Sequence, residues 1–353
     1  MHNNKFSMKK HFTKILEIYE KHLSTLMFVG GAVLDNVAMK RIDLWWNDLI
    51  LITYLLIAAI SIVFINLQDE GSIKNDFLEN ARPWFLFAMQ FVLGGLFSSF
   101  FVFYSRSATL AEGWPFILVL VSYMLANEFF KKRYARLNAQ VGAFFVAIFS
   151  FFILVVPVVV HKMGDWVFVL SGVISLVVIA LFISLLFYIT PSRVTQSKKP
   201  LLWGVFGIFC IINVLYFTNI IPPVPLALKD SGVYHYVARN SDGTYTLDGD
   251  KKTWRNFFQP QILKVSYGDP VYIFSSIFGP TDLNVRVVHV WQYYDENNKT
   301  WLTKSRISLP ISGGRDIGYR TYSMKSNVVS GLWRVDIETE TGQLIGREKF
   351  EIE

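Results

Sequence analysis

Three groups of residues in this chain have types and spacings that can do chemistry. The first is charged and lies within or beside apolar runs: Asp35, Arg106 and Glu112. An ionised group in hydrocarbon is costly, so its presence marks a pairing, a polar pocket or a proton path. An Asp35–Arg106 or Arg106–Glu112 pair is the functional expectation. Interfacial residues that tie short helices together or meet lipid headgroups are the plainer one. The second group is Arg315, Arg320 and Arg347, each within two residues after a glycine. Glycine permits close backbone approach, and the guanidinium fork grips phosphate or carboxylate at two points. Together the three can hold a lipid phosphate or an anionic glycan; separately, each lies across a strand or pairs with Asp316, Asp336 or Glu338. The third is His289 with Trp291, which alternate on one strand and so share a face, as do Tyr234 and Tyr236. Such a face stacks a sugar or forms a core with its rim.

Several chemistries find no support in the chain. His235 and His289 stand alone, and HExxH, paired cysteines and an Asp-rich loop are missing, so no metal is expected. Neither a nucleophile elbow nor a phosphate loop nor a dinucleotide fingerprint occurs, so no cofactor and no catalytic residue is expected. The basic balance points elsewhere too. Residues 1–220 carry 18 Lys+Arg against 12 Asp+Glu, and residues 221–353 carry 16 against 15. The excess therefore lies in the apolar half, where it orients a membrane protein, and nucleic acid is not an expected partner. Cys210 is the single cysteine, so no intrachain disulfide supports any domain.

The elements that must position these residues follow from hydropathy. Apolar runs long enough to span a bilayer fall at about 23–39, 47–66, 84–104, 109–127, 140–160, 167–189 and 201–219. The first is short and holds Asp35 and Asn36, so it either spans or folds back as a re-entrant pair. With seven spans and the N-terminus inside, fourteen Lys and Arg fall in inner segments and four in outer loops (Lys40, Arg41, Arg106, Lys162). Six spans would put either the five N-terminal lysines or the KKRYAR loop outside, so the positive-inside rule favours seven. Trp45, Trp46, Trp84, Trp114, Trp166 and Trp203 all sit near segment ends, where amphipathic rings settle. Gly94 with Ser98 and Gly95 with Ser99 predict close helix packing in the third segment. The basic start lacks a cleavage signature and is read as an uncleaved cytoplasmic segment, residues 1–22.

Beyond a helical membrane domain over 23–220, Pro222, Pro223 and Pro225 predict a stiff spacer over 221–231. From 232 to 353 the period changes from 3.6 to 2. Strands are predicted near 233–238, 262–267, 271–278, 283–293, 301–305, 318–323, 332–338 and 344–352, separated by Gly-, Asn- and Asp-rich turns. Seven or eight short strands without cysteines predict an immunoglobulin-like β-sandwich. The predicted class is thus an α-helical polytopic membrane domain followed by an all-β domain.

The C-terminal motifs Val288-His-Val-Trp291, Ile311-Ser-Gly-Gly-Arg315, Gly318-Tyr-Arg-Thr-Tyr-Ser323, Gly331-Leu-Trp-Arg-Val-Asp336 and Gly342-Gln-Leu-Ile-Gly-Arg347, with Phe350, resemble the DUF2914 family over about 260–353. The helical half is similar to the segments that often precede that domain, through Phe28-Val-Gly-Gly31 with Asp35, Tyr104-Ser-Arg-Ser107 and Asn127-Glu-Phe. The resemblance implies a bacterial envelope location and no reaction. Two functions are expected. One is a non-enzymatic inner-membrane protein whose extracytoplasmic sandwich binds, senses or assembles, with the bilayer, an anionic lipid or glycan, or another envelope protein as partner. The other is membrane-embedded transport or processing of a lipid-linked or anionic substrate, entering near Asp35, Arg106 and Glu112, with the β domain as lid.

Overall fold

The computed structural model describes residues 45–71, 81–107, 118, 122, 136–249, 260–266, 268–314 and 318–353, with side chains for all of these except 105–107. Five helices among them are long and apolar enough to cross a membrane: α1 (Trp45–Asp69), α2 (Arg82–Ser107), α3 (Leu137–Val160), α4 (Asp165–Ile189) and α5 (Pro191–Phe217). At 1.5 Å per residue each exceeds the roughly 30 Å of bilayer hydrocarbon. The expected spans at 23–39 and 109–127 lie outside the described residues, apart from Leu118 and Ser122. The other five expected spans correspond to α1–α5. The largest shift in boundary is at α5, which starts at Pro191 and carries Arg193, Lys198 and Lys199 on its first turns. Proline is well placed at a helix start, because the first N–H groups need no intrahelical partner.

The chain divides into two compact units, one of helices and one containing the sandwich with the adjoining helix ends. In the helical unit, a Cβ at Gly95 would stand 2.8 Å from the Tyr54 ring, and Ser98 and Ser99 are buried. The small residues of the third predicted span therefore admit a neighbouring helix. One end of the unit is tied by charge. Asp69 pairs with Arg82 at 2.8 Å and with Arg193 at 2.6 Å. Glu70 accepts hydrogen bonds from the backbone N–H groups of Ser192 and Arg193 at 3.1 and 3.2 Å. It thus satisfies two of the orphan donors at the start of α5. Nearby, Asn66 donates to Gln140 at 2.7 Å, both side chains being fully buried.

In the second unit α5 ends in a Schellman motif: Asn219 (φ 57°) donates to the Tyr216 carbonyl at 2.9 Å and Ile220 to that of Leu215 at 2.9 Å. Among the described residues ten strands follow: β1 (Ala227–Tyr234), β2 (Tyr236–Arg239), β3 (Tyr245–Asp248), β4 (Gln261–Leu263), β5 (Val271–Phe278), β6 (Asn284–Asp295), β7 (Thr300–Ser312), β8 (Tyr319–Lys325), β9 (Gly331–Thr339) and β10 (Leu344–Ile352). β1 begins inside the stretch read as spacer, because Leu226 and Leu228 already pack into the core. β7 runs well past the predicted strand: its Pro310 interrupts the sequence pattern, yet an edge strand tolerates a missing N–H.

One sheet has the order β1-β5-β8 and the other β4-β10-β9-β6-β7, with β2-β3 as a separate hairpin. From β5 the chain crosses to β6 and β7, back to β8, and again to β9 and β10, the sheet-switching of immunoglobulin-type sandwiches. Two buried clusters fill the space between the sheets. Trp291, Trp333 and Phe350 dominate one, and Leu226, Val287, Ile311 and Ile337 belong to the other. Trp291 meets Phe350 edge-on at 6.2 Å and is fully buried on β6. In this chain large rings do the work that an inter-sheet disulfide does in antibody domains.

Candidate functional site

β6 presents chemistry on both its faces. On the inner face, His289 is fully buried, with Nε2 3.0 Å from Ser275 Oγ on β5 and Nδ1 2.8 Å from Ser323 Oγ on β8. The Trp291 indole N–H donates to the same Ser323 oxygen at 3.0 Å. A neutral imidazole, with one donor and one acceptor nitrogen, completes this chain of bonds across the two sheets. Burial away from water pushes the His289 pKa down to about 4, so the ring is neutral at physiological pH. A serine 3.0 Å from a histidine resembles a nucleophile–base pair, but Ser275 and His289 are both fully buried, so a substrate has no approach to them. His289 and Trp291 thus sit in the sandwich interior, the core alternative for the shared aromatic face. Sequence reasoning missed Ser275 and Ser323, which fall at inward positions of their strands and are visible as partners only once the sheets are paired.

The outer face of the same sheet carries a charged and aromatic lattice. Register places Arg306 of β7, Val290 of β6, Asp336 of β9 and Arg347 of β10 in one row. Arg347 grips Asp336 with Nε to Oδ1 at 2.5 Å and an NH2 group to Oδ2 at 2.8 Å. Asp336 also draws Arg334 to 3.8 Å, and Arg334 donates to the Gln292 side-chain oxygen. The Arg334 guanidinium lies 4.4 Å from the centre of the Trp301 ring, which itself packs on Tyr294 at 5.1 Å. Arg306 reaches Glu338 at 3.3 Å. Burial raises the Glu338 pKa and the neighbouring Asp336 adds to this, while Arg306 opposes it. Under these long side chains Val288 and Val290, though outward-facing, are buried.

The three arginines expected to act together are not assembled. Arg347 is engaged by Asp336 on the outer face of the five-stranded sheet. Arg320, on β8, belongs to the outer face of the three-stranded sheet, where its carbonyl accepts a bond from Tyr245 Oη at 3.0 Å. Ser323, two residues on, points into the core, so Arg320 and Arg347 lie on opposite sides of the sandwich. Arg315 lies outside the described residues. Glycine next to Arg347 serves packing, since a Cβ at Gly346 would run into the Leu228 side chain. Tyr234 and Tyr236 join Tyr245, Tyr272, Phe274 and Tyr322 in an aromatic layer where the β2–β3 hairpin lies over the three-stranded sheet. Asp35, Glu112 and the side chain of Arg106 are outside the described residues, and the expected intramembrane polar cluster with them. Among the described residues, no group of His, Cys, Asp and Glu is arranged to hold a metal ion.

Fold and site define the chain as one with apolar, span-length helices and a C-terminal immunoglobulin-type β-sandwich. Residues 284–352, which are strands β6–β10 of that sandwich, match the model of DUF2914, a protein family of unknown function. No curated protein matches the chain. Among solved structures, an immunoglobulin-like protein from Pseudomonas aeruginosa is 9% identical over 37% of this chain and 98% of its own, with a TM-score of 0.22. An alkylpurine DNA glycosylase from Pseudomonas fluorescens, bound to DNA containing an abasic site analogue, is 9% identical over 85% of this chain and 99% of its own, with a TM-score of 0.23. Scores this low carry no argument, and the fold assignment rests on strand order and core.

Proposed function

We propose that this protein is a polytopic inner-membrane protein that presents its sandwich outside the cytoplasm as a non-enzymatic recognition module for an envelope protein. The observation that carries the reading is the outer face of the five-stranded sheet, where Trp301, Tyr294 and Arg334 are stacked and hydrogen-bonded in place. Trp, Tyr and Arg are the residue types that dominate binding hot spots, and holding them in place lowers the entropy lost on association. The edge of this sheet is less suited to strand addition: β7 carries Lys304 in a bulge, Arg306 and Pro310, all devices that blunt an exposed edge. The asymmetry of fourteen inner to four outer basic residues supports the orientation.

Two experiments test the two parts. Cys210 is the only thiol, so a Cys210→Ser background accepts single reporters at Glu296 and Lys131. A membrane-impermeant maleimide added to intact cells should label the Glu296→Cys protein and not Lys131→Cys; the opposite pattern overturns the topology. A photo-crosslinking residue at Trp301 should join one protein partner in native membranes, while one at Tyr236 on the opposite sheet should not. Equal yields from both positions overturn the assignment of the face.

A further inference from the structure

The second unit contains a cavity of about 480 Å³ that shares no lining residue with the Trp301 face. Its walls are the α3–α4 turn, the first residues of β6, the end of β7 and the β9–β10 turn. Met163, Leu226 and Ile311 make an apolar floor continuous with a core cluster of the sandwich. Above it stand the polar groups of Asn284, Ser312, Thr339 and Thr341. All four are already engaged, Ser312 with Asn284 at 2.9 Å and Thr339 with Thr341 at 2.9 Å. Lys162 and Arg286 also line the cavity, and among the described residues neither is in an ion pair; Glu340 is the single acid in the lining. An apolar floor under two uncommitted cations suits an amphiphile with an anionic head.

The cavity's place along the chain says where such a molecule comes from. Residues 161–164 are the whole connection between two span-length helices, so Lys162 stands at a membrane surface. Trp166, in the first turn of α4, is 53% exposed, as befits an indole at headgroup level. α5 returns to that same surface, where Tyr216 stacks on Phe168 at 3.7 Å and donates to Asp165 at 3.1 Å. The four-residue turn is therefore held against the end of α5, from which the chain enters the sandwich.

We infer that this cavity binds the phosphate-bearing headgroup of an anionic lipid, with Lys162 and Arg286 on the phosphate and Met163, Leu226 and Ile311 beneath the glycerol and upper acyl carbons. The inference uses the membrane reading of the helices but not the partner surface around Trp301. Its size lies within the range of ordinary ligand sites, about 300–1,000 Å³. A zwitterionic lipid brings the same phosphate with an ammonium that two cations repel, which sets the preference for the anionic lipid at about tenfold.

Full-length protein in discs of phosphatidylcholine mixed with phosphatidylglycerol, released into the gas phase, reports the lipid retained. Phosphatidylglycerol should be held about tenfold in excess of its share, and this excess should vanish in the Lys162→Gln/Arg286→Gln protein. Thr341→Leu, which fills the mouth without changing charge, should remove the bound lipid as well. Inorganic phosphate added at millimolar level should leave the lipid in place; displacement would keep the oxyanion site but assign it to free phosphate. Equal retention of both lipids by the unaltered protein, or undiminished retention by the double variant, overturns the inference. Crosslinking at Trp301 should be unchanged in that variant, so failure of the lipid site and failure of the partner surface are separately visible.

Discussion

The two faces of β6 solve the same problem, polar groups packed against a sheet, in opposite ways. Inside, Ser275, His289, Ser323 and Trp291 form a neutral chain of hydrogen bonds with no ion in it. Outside, one residue further along the strand, Asp336, Glu338, Arg306, Arg334 and Arg347 form a charged lattice over Val288 and Val290. The cost of desolvating an ion explains the division. The buried Asp336 stays charged on the outer face because the Arg347 fork grips it, whereas no counter-charge is bonded to His289 between the sheets and its ring stays neutral. The inner network therefore serves stability, and the outer one is the surface proposed above for recognition.

Substitutions can break that contrast, beginning with the largest effect. Trp291→Ala should destabilise the sandwich by about 3–5 kcal/mol, since it removes the largest fully buried ring and leaves a cavity. Hydrogen exchange across β6 in the full-length protein would report this loss. Acid should act through His289 next. Its folded pKa, about 4, lies below the ordinary value of 6.5, so the unfolded chain takes up a proton that the folded one refuses. The stabilisation is complete above pH 6.5 and falls away towards pH 4, by about 3 kcal/mol in all. Unfolding followed over this range should show the loss, and His289→Gln should flatten it. If the slope survives the substitution, another group carries it.

Ser323→Ala comes third, at about 1–3 kcal/mol, because it strips a partner from both His289 and Trp291 in a dry site. Arg306→Ala should cost least, under about 1 kcal/mol. Its side chain is 54% exposed, and water and salt screen the Arg306–Glu338 pair. If chemical unfolding showed Arg306→Ala to cost as much as Ser323→Ala, the outer lattice would be structural and the division between the faces would fail.

Much of the architecture was legible in local pattern. The five described helices correspond to apolar runs, and β5 coincides with the predicted 271–278, because period and length are properties of consecutive residues. The β3 strand and the second half of β7 were not. β3 is four residues long, and Pro310 hides the alternation of Ile307, Leu309 and Ile311 that continues through it. The buried Asn66–Gln140 pair was equally invisible, as its two members stand 74 residues apart.

The candidate site shows the same limit more sharply. Composition and spacing by themselves determined a chain of span-length helices, a change to period 2 after the prolines, the want of metal and nucleophile motifs, and the strand on which His289 and Trp291 share a face. They also supplied both alternatives for each arginine. Only the tertiary structure decided between them: that Arg347 is taken by Asp336, that Arg320 faces away on the other sheet, and that His289 is enclosed by serines from two other strands. The physical reason is that a side chain's direction follows from its own strand, whereas its partner follows from the register between strands. Register is set by the packing of the whole core around Trp291, Trp333 and Phe350, and no local stretch of sequence contains that information.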